Sequence, residues 1–191
     1  MTRTIHKKTQ HIKVYTDGRK SEQGVGTGIV ITRPGTTIVE MMYRMNTRCT
    51  NNQAEAFAIL KALEYEQTKL NNEVDKVTTV HTDSMTTLET QNNMDKHTFL
   101  AEEIRRKMQE MGSRGWTTRF MWTKAHVGTT GNKLDDKLAK EASSKIEIPI
   151  SYNRVPKSVI KRDLENNSRE TWHKEWETTK KGLQRKNTSR Q

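Results

Sequence analysis

Two short runs in this chain share one pattern, and that repetition limits its fold more than any other feature. Ile12-Lys13-Val14-Tyr15-Thr16-Asp17-Gly18 and Val77-Thr78-Thr79-Val80-His81-Thr82-Asp83-Ser84 are both rich in β-branched residues, and each delivers a Thr-Asp pair followed by a small residue. Such runs read as strands. Either acid alone has a local explanation: Asp-Gly suits a hairpin turn, and an Asp after a strand often caps the next helix. Two more acids, Glu55 and Asp136, stand near the starts of expected helices. A sheet that gathers several carboxylates at one edge builds a site for hard divalent cations.

Between the two runs, residues 24–31 (Gly-Val-Gly-Thr-Gly-Ile-Val-Ile) form a glycine-rich strand, with Asp17-Gly18 to Ser21 as the turn before it and Pro34-Gly35 as the turn after. No helix opens there, so the glycines do not form a dinucleotide-binding loop. They allow another backbone to approach closely. Ile38 to Tyr43 makes a third strand, and the short connections favour an antiparallel meander. Thr50 or Asn51 caps a long helix through about Leu70, with Ala54, Phe57, Ala58, Leu60 and Leu63 on its apolar face. Helices follow over Ser84–Gln91 and about His97–Met111, and Trp116 to Trp122 is a strand whose tryptophans belong to the core. A small, polar, glycine-containing loop with His126 leads to a helix containing Asp136.

With 34 basic against 23 acidic residues the chain carries +11, which points to a polyanionic partner. The charge is concentrated in the ends. Residues 1–12 contribute Arg3, Lys7 and Lys8, residues 151–191 hold eleven basic residues against five acids, and residues 13–150 hold twenty against eighteen. Leu, Ile, Val and Phe make up only 33 of 191 residues, and nine Met supply part of the missing apolar volume. The single Cys49 excludes an internal disulfide or a cysteine zinc site and suits a reducing, intracellular compartment, cytoplasm or nucleus. No apolar run is long enough for a membrane span, and the N-terminus has no signal-peptide core. The organisation expected is a basic arm (1–11), one α/β domain (12–148), and a linker with a basic helix (149–191), its end disordered. Trp172 and Trp176 share a face of that helix, which is expected to dock on something.

Taken together, Tyr15-Thr16-Asp17-Gly18, Thr50-Asn51-Asn52-Gln53-Ala54-Glu55, Thr82-Asp83-Ser84 and the stretch from Trp122-Thr123-Lys124-Ala125-His126 to Asp136 and Leu138-Ala139 resemble ribonuclease H. Among its relatives they resemble the domain carried by reverse transcriptase polyproteins of non-long-terminal-repeat retrotransposons. The likeness spans about residues 12–145, with four motifs in the family order. It implies a ribonuclease H-like fold, a five-stranded mixed sheet with its first three strands antiparallel, flanked by helices. It also implies an endonuclease that cuts the RNA strand of RNA/DNA hybrids during retrotransposon replication. Asp17, Glu55, Asp83 and Asp136 would be metal ligands, with Asp135, where the family has a neutral small residue, as runner-up to Asp136. His126 would shuttle protons or assist product release, and Thr50, Asn51, Asn52, Gln53 and Ser84 would contact substrate.

The chemistry implied is two-metal hydrolysis, in which two Mg²⁺ (or Mn²⁺) ions about 3.5–4 Å apart activate water and stabilise the leaving oxygen. The partners implied are the hybrid and the polymerase part of the same polyprotein, with the isolated domain a monomer and no membrane involved. Arg19 departs from the small Ser or Gly common after Asp-Gly, and Met85 stands where a polar residue often follows Asp-Ser. The Gln91–His97 segment is too short for the basic protrusion of many cellular relatives, so Arg105, Arg106 and Lys107, the tail, or the rest of the polyprotein are expected to contact phosphate. The rival reading is an inactive nucleic-acid-binding module within a larger reverse transcriptase. Four clustered carboxylates oppose it, because without metals they would repel phosphate.

Overall fold

The computed structural model describes residues 11–34, 36–73, 75–124 and 130–179. Its sheet is built outward from β1 (Ile12–Lys20), which pairs antiparallel with β2 (Val25–Arg33) on one side and parallel with β4 (Val77–Thr82) on the other. Adding β3 (Thr36–Met45), β5 (Thr117–Trp122) and β6 (Ile150–Tyr152) gives the order β5-β4-β1-β2-β3-β6. The first three strands form the expected antiparallel meander, but the sheet has six strands rather than five. The sixth lies in the stretch read as a linker, parallel to β3, where Asn46 N donates to Tyr152 O at 2.9 Å. Tyr152 packs its ring 5.1 Å from that of Phe57. Three residues are too few to show a strand period in the sequence.

The first turn is also displaced from its expected position. β1 runs straight through Asp17-Gly18, paired to Gly28 and Thr27, and reverses at Ser21–Gly24, where Ser21 N donates to Gly24 O at 2.9 Å. Gly24 supplies the positive φ of 157°. Asp17 therefore belongs to a central strand and not to a solvated turn.

Seven successive residues of β2, Val25 to Ile31, are buried because helices cover both faces of the sheet. On one side α1 (Asn51–Lys69) brings Phe57, Ile59, Leu60 and Leu63 against Ile12, Val14, Ile29 and Ile31. At about 1.5–3 kcal/mol per buried aliphatic or aromatic side chain, this cluster is the main cohesive element. On the other side α4 (Thr130–Ser144) packs Leu138 on Tyr15 and Val30. The close approach expected of the strand glycines occurs here, since a Cβ on Gly28 would overlap the Asp135 carbonyl of α4.

Ser84, rather than Asp83, caps α2 (Met85–Asn92), and Thr98 caps α3 (Phe99–Ser113). Arg105 of α3 donates to the carbonyls of Thr90 (2.5 Å), Asn93 (2.8 Å) and Lys96 (3.2 Å), fastening the α2–α3 connection. Arg106 pairs with Glu103 and Glu110, and Lys107 with Gln67 and Glu110. The three cations expected to meet phosphate are thus committed within the protein. Trp116 is buried, as expected, but Trp122 is 48% exposed and donates its Nε1 to the Asp83 carbonyl at 3.2 Å.

The chain divides into two compact units between Arg154 and Val155. In the second, α5 (Lys157–Thr178) stacks Trp172 on Trp176 with ring centroids 5.5 Å apart. Its basic residues Lys157, Lys161, Arg162, Arg169 and Lys174 are matched by Asp163, Glu165, Glu170, Glu175 and Glu177, so the helix itself is neutral. The excess positive charge of the tail comes from Arg154 and from residues 180–191, and the latter lie outside the described residues. Among the described residues no helix is long and apolar enough to cross a membrane.

Candidate metal centre and active-site cleft

The parallel pairing of β1 and β4 places Thr16 opposite Thr82, so Asp17 and Asp83, the next residue on each, emerge side by side at one edge of the sheet. Glu55 reaches the same point from the first turns of α1. That helix start is fixed by a reciprocal cap: Gln53 N donates to Thr50 Oγ1 (3.2 Å) and Thr50 N donates to Gln53 Oε1 (3.0 Å). One oxygen from each of Asp17, Glu55 and Asp83 falls within 4.8 Å of the others. They share a cleft of about 360 Å³ with Asp135 and Asp136 of α4 and with Arg19, Lys20, Asn51, His81, Thr123 and Asn132.

Five carboxylates in one cleft disfavour one another's charge. Burial raises Asp17 to about 7, reinforced by Asp83 and Asp136. Burial first, then Asp17 and Asp83, pushes Glu55 well above the usual carboxylate range. Asp135, raised to about 8, is also governed by burial, partly offset by the amide of Asp136. Glu55 is only 2% exposed, and its Oε2 has no hydrogen-bond partner among the described residues. An orphaned, buried oxygen facing two further carboxylates is the donor set that a hard divalent cation satisfies, so the residues fit Mg²⁺ or Mn²⁺.

Three of the four expected ligands, Asp17, Glu55 and Asp83, thus converge. Asp136 lines the same cleft but lies outside that group, with its carboxylate held by Arg19 Nη1 at 3.8 Å and Lys140 Nζ at 2.5 Å. Asp135 is almost fully buried and accepts from the Asp136 amide at 2.7 Å. His126 lies outside the described residues. Of the expected substrate contacts, Asn51 lines the cleft, where its Oδ1 accepts from Lys20 N at 3.1 Å. Asn52 is exposed beside it in the first turn. Thr50, Gln53 and Ser84 serve as helix caps, and Gln53 also donates to the Arg154 carbonyl at 3.0 Å. Lys20, Thr123, Asn132 and His81 were not singled out from sequence as site residues. Thr123 and Asn132 lie inside the stretch from Trp122 to Asp136 that carries the resemblance, Lys20 follows Asp17-Gly18 by two residues, and His81 immediately precedes Thr82-Asp83-Ser84, but none of these positions carries a residue type that by itself points to the site.

Comparison with known proteins gives the cleft a setting. The family model described as RNase H matches residues 9–144. LC11-RNase H1, obtained from compost by a metagenomic approach and solved in complex with an RNA/DNA hybrid, is 25% identical; the match covers 69% of this chain and 98% of that one, with a TM-score of 0.55. The N-terminal RNase H domain of a Mycobacterium tuberculosis protein, solved as a fusion with maltose-binding protein, is 18% identical over 70% of this chain and 94% of that one (TM-score 0.56). The prototype foamy virus protease–reverse transcriptase is 20% identical over 71% of this chain but only 21% of its own length (TM-score 0.56). These last two likenesses concern the fold alone. No curated protein matches the chain. With the family model spanning well over half its length and the acidic edge in place, the chain belongs to the RNase H family.

Proposed function

We propose that the protein hydrolyses the RNA strand of RNA/DNA hybrids with two bound divalent cations. The observation behind this reading is the convergence of Asp17, Glu55 and Asp83, with the Glu55 Oε2 left without a partner among the described residues. Asp17, on the central strand, would be shared by both cations. Glu55 and Asp83 would hold the leaving-group side and Asp136 the water side. The cations supply an activated water and charge stabilisation at the departing oxygen. His126 takes up and returns a proton, a task suited to imidazole near neutral pH. Asn51 and Asn52, at the exposed start of α1, present short amides to the 2′-OH of the RNA strand, the group that distinguishes it from DNA.

By resemblance to the retrotransposon domains, this activity would serve reverse transcription beside a polymerase on the same polyprotein. The foamy virus likeness, a fold of this kind within a protease–reverse transcriptase, accords with that setting.

The test is cleavage of a labelled RNA/DNA hybrid with Mg²⁺ or Mn²⁺, beside single-stranded RNA, duplex RNA and duplex DNA. Only the RNA of the hybrid should be cut, and Glu55→Gln should abolish cutting while the fold is kept. Cleavage that survives Glu55→Gln, or that is equal on duplex DNA, would overturn the reading.

A further inference from the structure

Asp136 does not stand open in the cleft, because both of its oxygens face cations of the protein itself. Oδ1 lies 3.8 Å from Arg19 Nη1 and Oδ2 lies 2.5 Å from Lys140 Nζ. Arg19 is two residues past Asp17 on β1 and lines the cleft, and Lys140 is one helical turn past Asp136 on α4. Both cations are about half exposed (45% and 47%), whereas the Asp136 side chain is 21% exposed. The Asp136 amide is tied to Asp135 Oδ1, so the backbone there is anchored and only the side-chain partners can exchange. Glu55 presents the opposite case, with a buried oxygen and no partner for it among the described residues.

We propose that Arg19 and Lys140 are built-in counter-cations of Asp136 and that a divalent cation binding there must displace them. The cleft then loads in two steps, the Asp17–Glu55–Asp83 group first and the Asp136 side second, with Arg19 setting the affinity of the second. This rests on the metal-centre reading above. A guanidinium competes with the metal in two ways: it occupies a ligand oxygen, and it repels a second positive charge within the same cleft. Lys140 forms an ordinary pair one turn along a helix and can swing into solvent. Arg19 lines the cleft that the second cation enters, which Lys140 does not, so its charge acts on the cation as well as on the carboxylate and it is the stronger competitor. Since the pairs are partly exposed, the effect is modest, about two- to fivefold in the weaker binding constant.

Mn²⁺ titrated into the metal-stripped full chain, followed by the electron paramagnetic resonance of free Mn²⁺ and by calorimetry, tests this without any activity readout. The parent should show two steps, the weaker lost in Asp136→Asn. Arg19→Ser should tighten the weaker step and leave the tighter one unchanged, and Arg19→Lys should restore the parental value. In the Asp136→Asn background, Arg19→Ser should have no further effect. Equal tightening of both steps, which is what mere removal of a positive charge would give, overturns the proposal, and so does no change in either. Absence of any Mn²⁺ binding by the parent overturns the metal-centre reading as well, so the two failures are distinct.

Discussion

A Cβ at Gly18 would stand 2.4 Å from the amide nitrogen of Glu55 and 2.7 Å from the carbonyl carbon of Ala54. The glycine after Asp17 is there for space and not for a turn, because β1 continues through it and the helix presenting Glu55 rests on it. Both obstructing groups are backbone, so neither can rotate aside. Gly18→Ala should destabilise the protein by about 1–3 kcal/mol, the range for overpacking. It should also lower hybrid cleavage more than tenfold, roughly the cost of displacing a catalytic group by an ångström or less. Denaturant unfolding and single-turnover cleavage check the two effects separately. A variant with parental stability and rate would mean that β1 and α1 do not meet as described.

The raised carboxylates make the stability of the metal-free protein fall with pH. Asp17 (about 7), Asp135 (about 8) and Glu55 bind protons more tightly in the fold than in the unfolded chain. Their favourable contribution is complete below the ordinary carboxylate pKa. It is lost as pH rises through the folded values, when charges must be confined together. In chelator, unfolding midpoints should therefore decline from about pH 5 to about pH 8. Added Mg²⁺ should recover most of the loss at the upper end. A flat or rising profile in chelator would show that these acids are not crowded as the cleft places them.

Much of this cleft was legible in the sequence because its carboxylates sit at the ends of regular elements. Thr16-Asp17 and Thr82-Asp83 end similar runs, and parallel pairing of β1 with β4 turns that likeness into proximity. Thr50 and Gln53 announced the helix start that fixes Glu55. What escaped depended on partners distant in the chain. Asp17-Gly18 has the composition of a turn, and only the approach of α1, more than thirty residues on, shows why the glycine is there. The pairing of Arg19 with Asp136 spans most of the domain. Trp122 alternates like a core residue, yet its indole is spent on the Asp83 carbonyl at the cleft side. Local patterns specify the period of an element but not which remote surface covers it.

Arg105 illustrates the same limit and gives a prediction of its own. In the sequence it stands in an Arg-Arg-Lys run suited to phosphate, but its guanidinium serves three carbonyls of the α2–α3 connection. An ammonium cannot reproduce that fork. Arg105→Lys should cost about 1–2 kcal/mol of stability, one or two charged-donor hydrogen bonds. It should leave the salt dependence of hybrid binding unchanged, since the charge is kept and no phosphate contact is lost. A reduced salt slope with unchanged stability would return Arg105 to the substrate-binding surface.

Glu66 is the remaining buried acid, fully inaccessible on α1 beneath the sheet. Its Oε1 accepts from Thr78 Oγ1 of β4 at 2.6 Å, while Oε2 has no partner among the described residues. Burial raises it to about 7, with the Thr78 bond pulling the other way. No other carboxylate is among the causes of its shift, so no divalent cation relieves it. Its cost therefore appears as pH climbs past the ordinary Glu value and levels off above the folded one. Glu66→Gln keeps an acceptor for Thr78 and removes the charge. The variant should gain about 1–3 kcal/mol over the parent near pH 8. It should gain almost nothing near pH 4, below the ordinary Glu value, where the acid is protonated in the unfolded chain as well as in the fold. Urea unfolding at the two pH values, each with and without Mg²⁺, measures the difference directly. A gain independent of pH would mean that Glu66 binds its proton equally in the folded and unfolded chain, and so that burial does not raise it. A gain abolished by Mg²⁺ would mean that its field reaches the cleft through β4, the strand that presents Asp83.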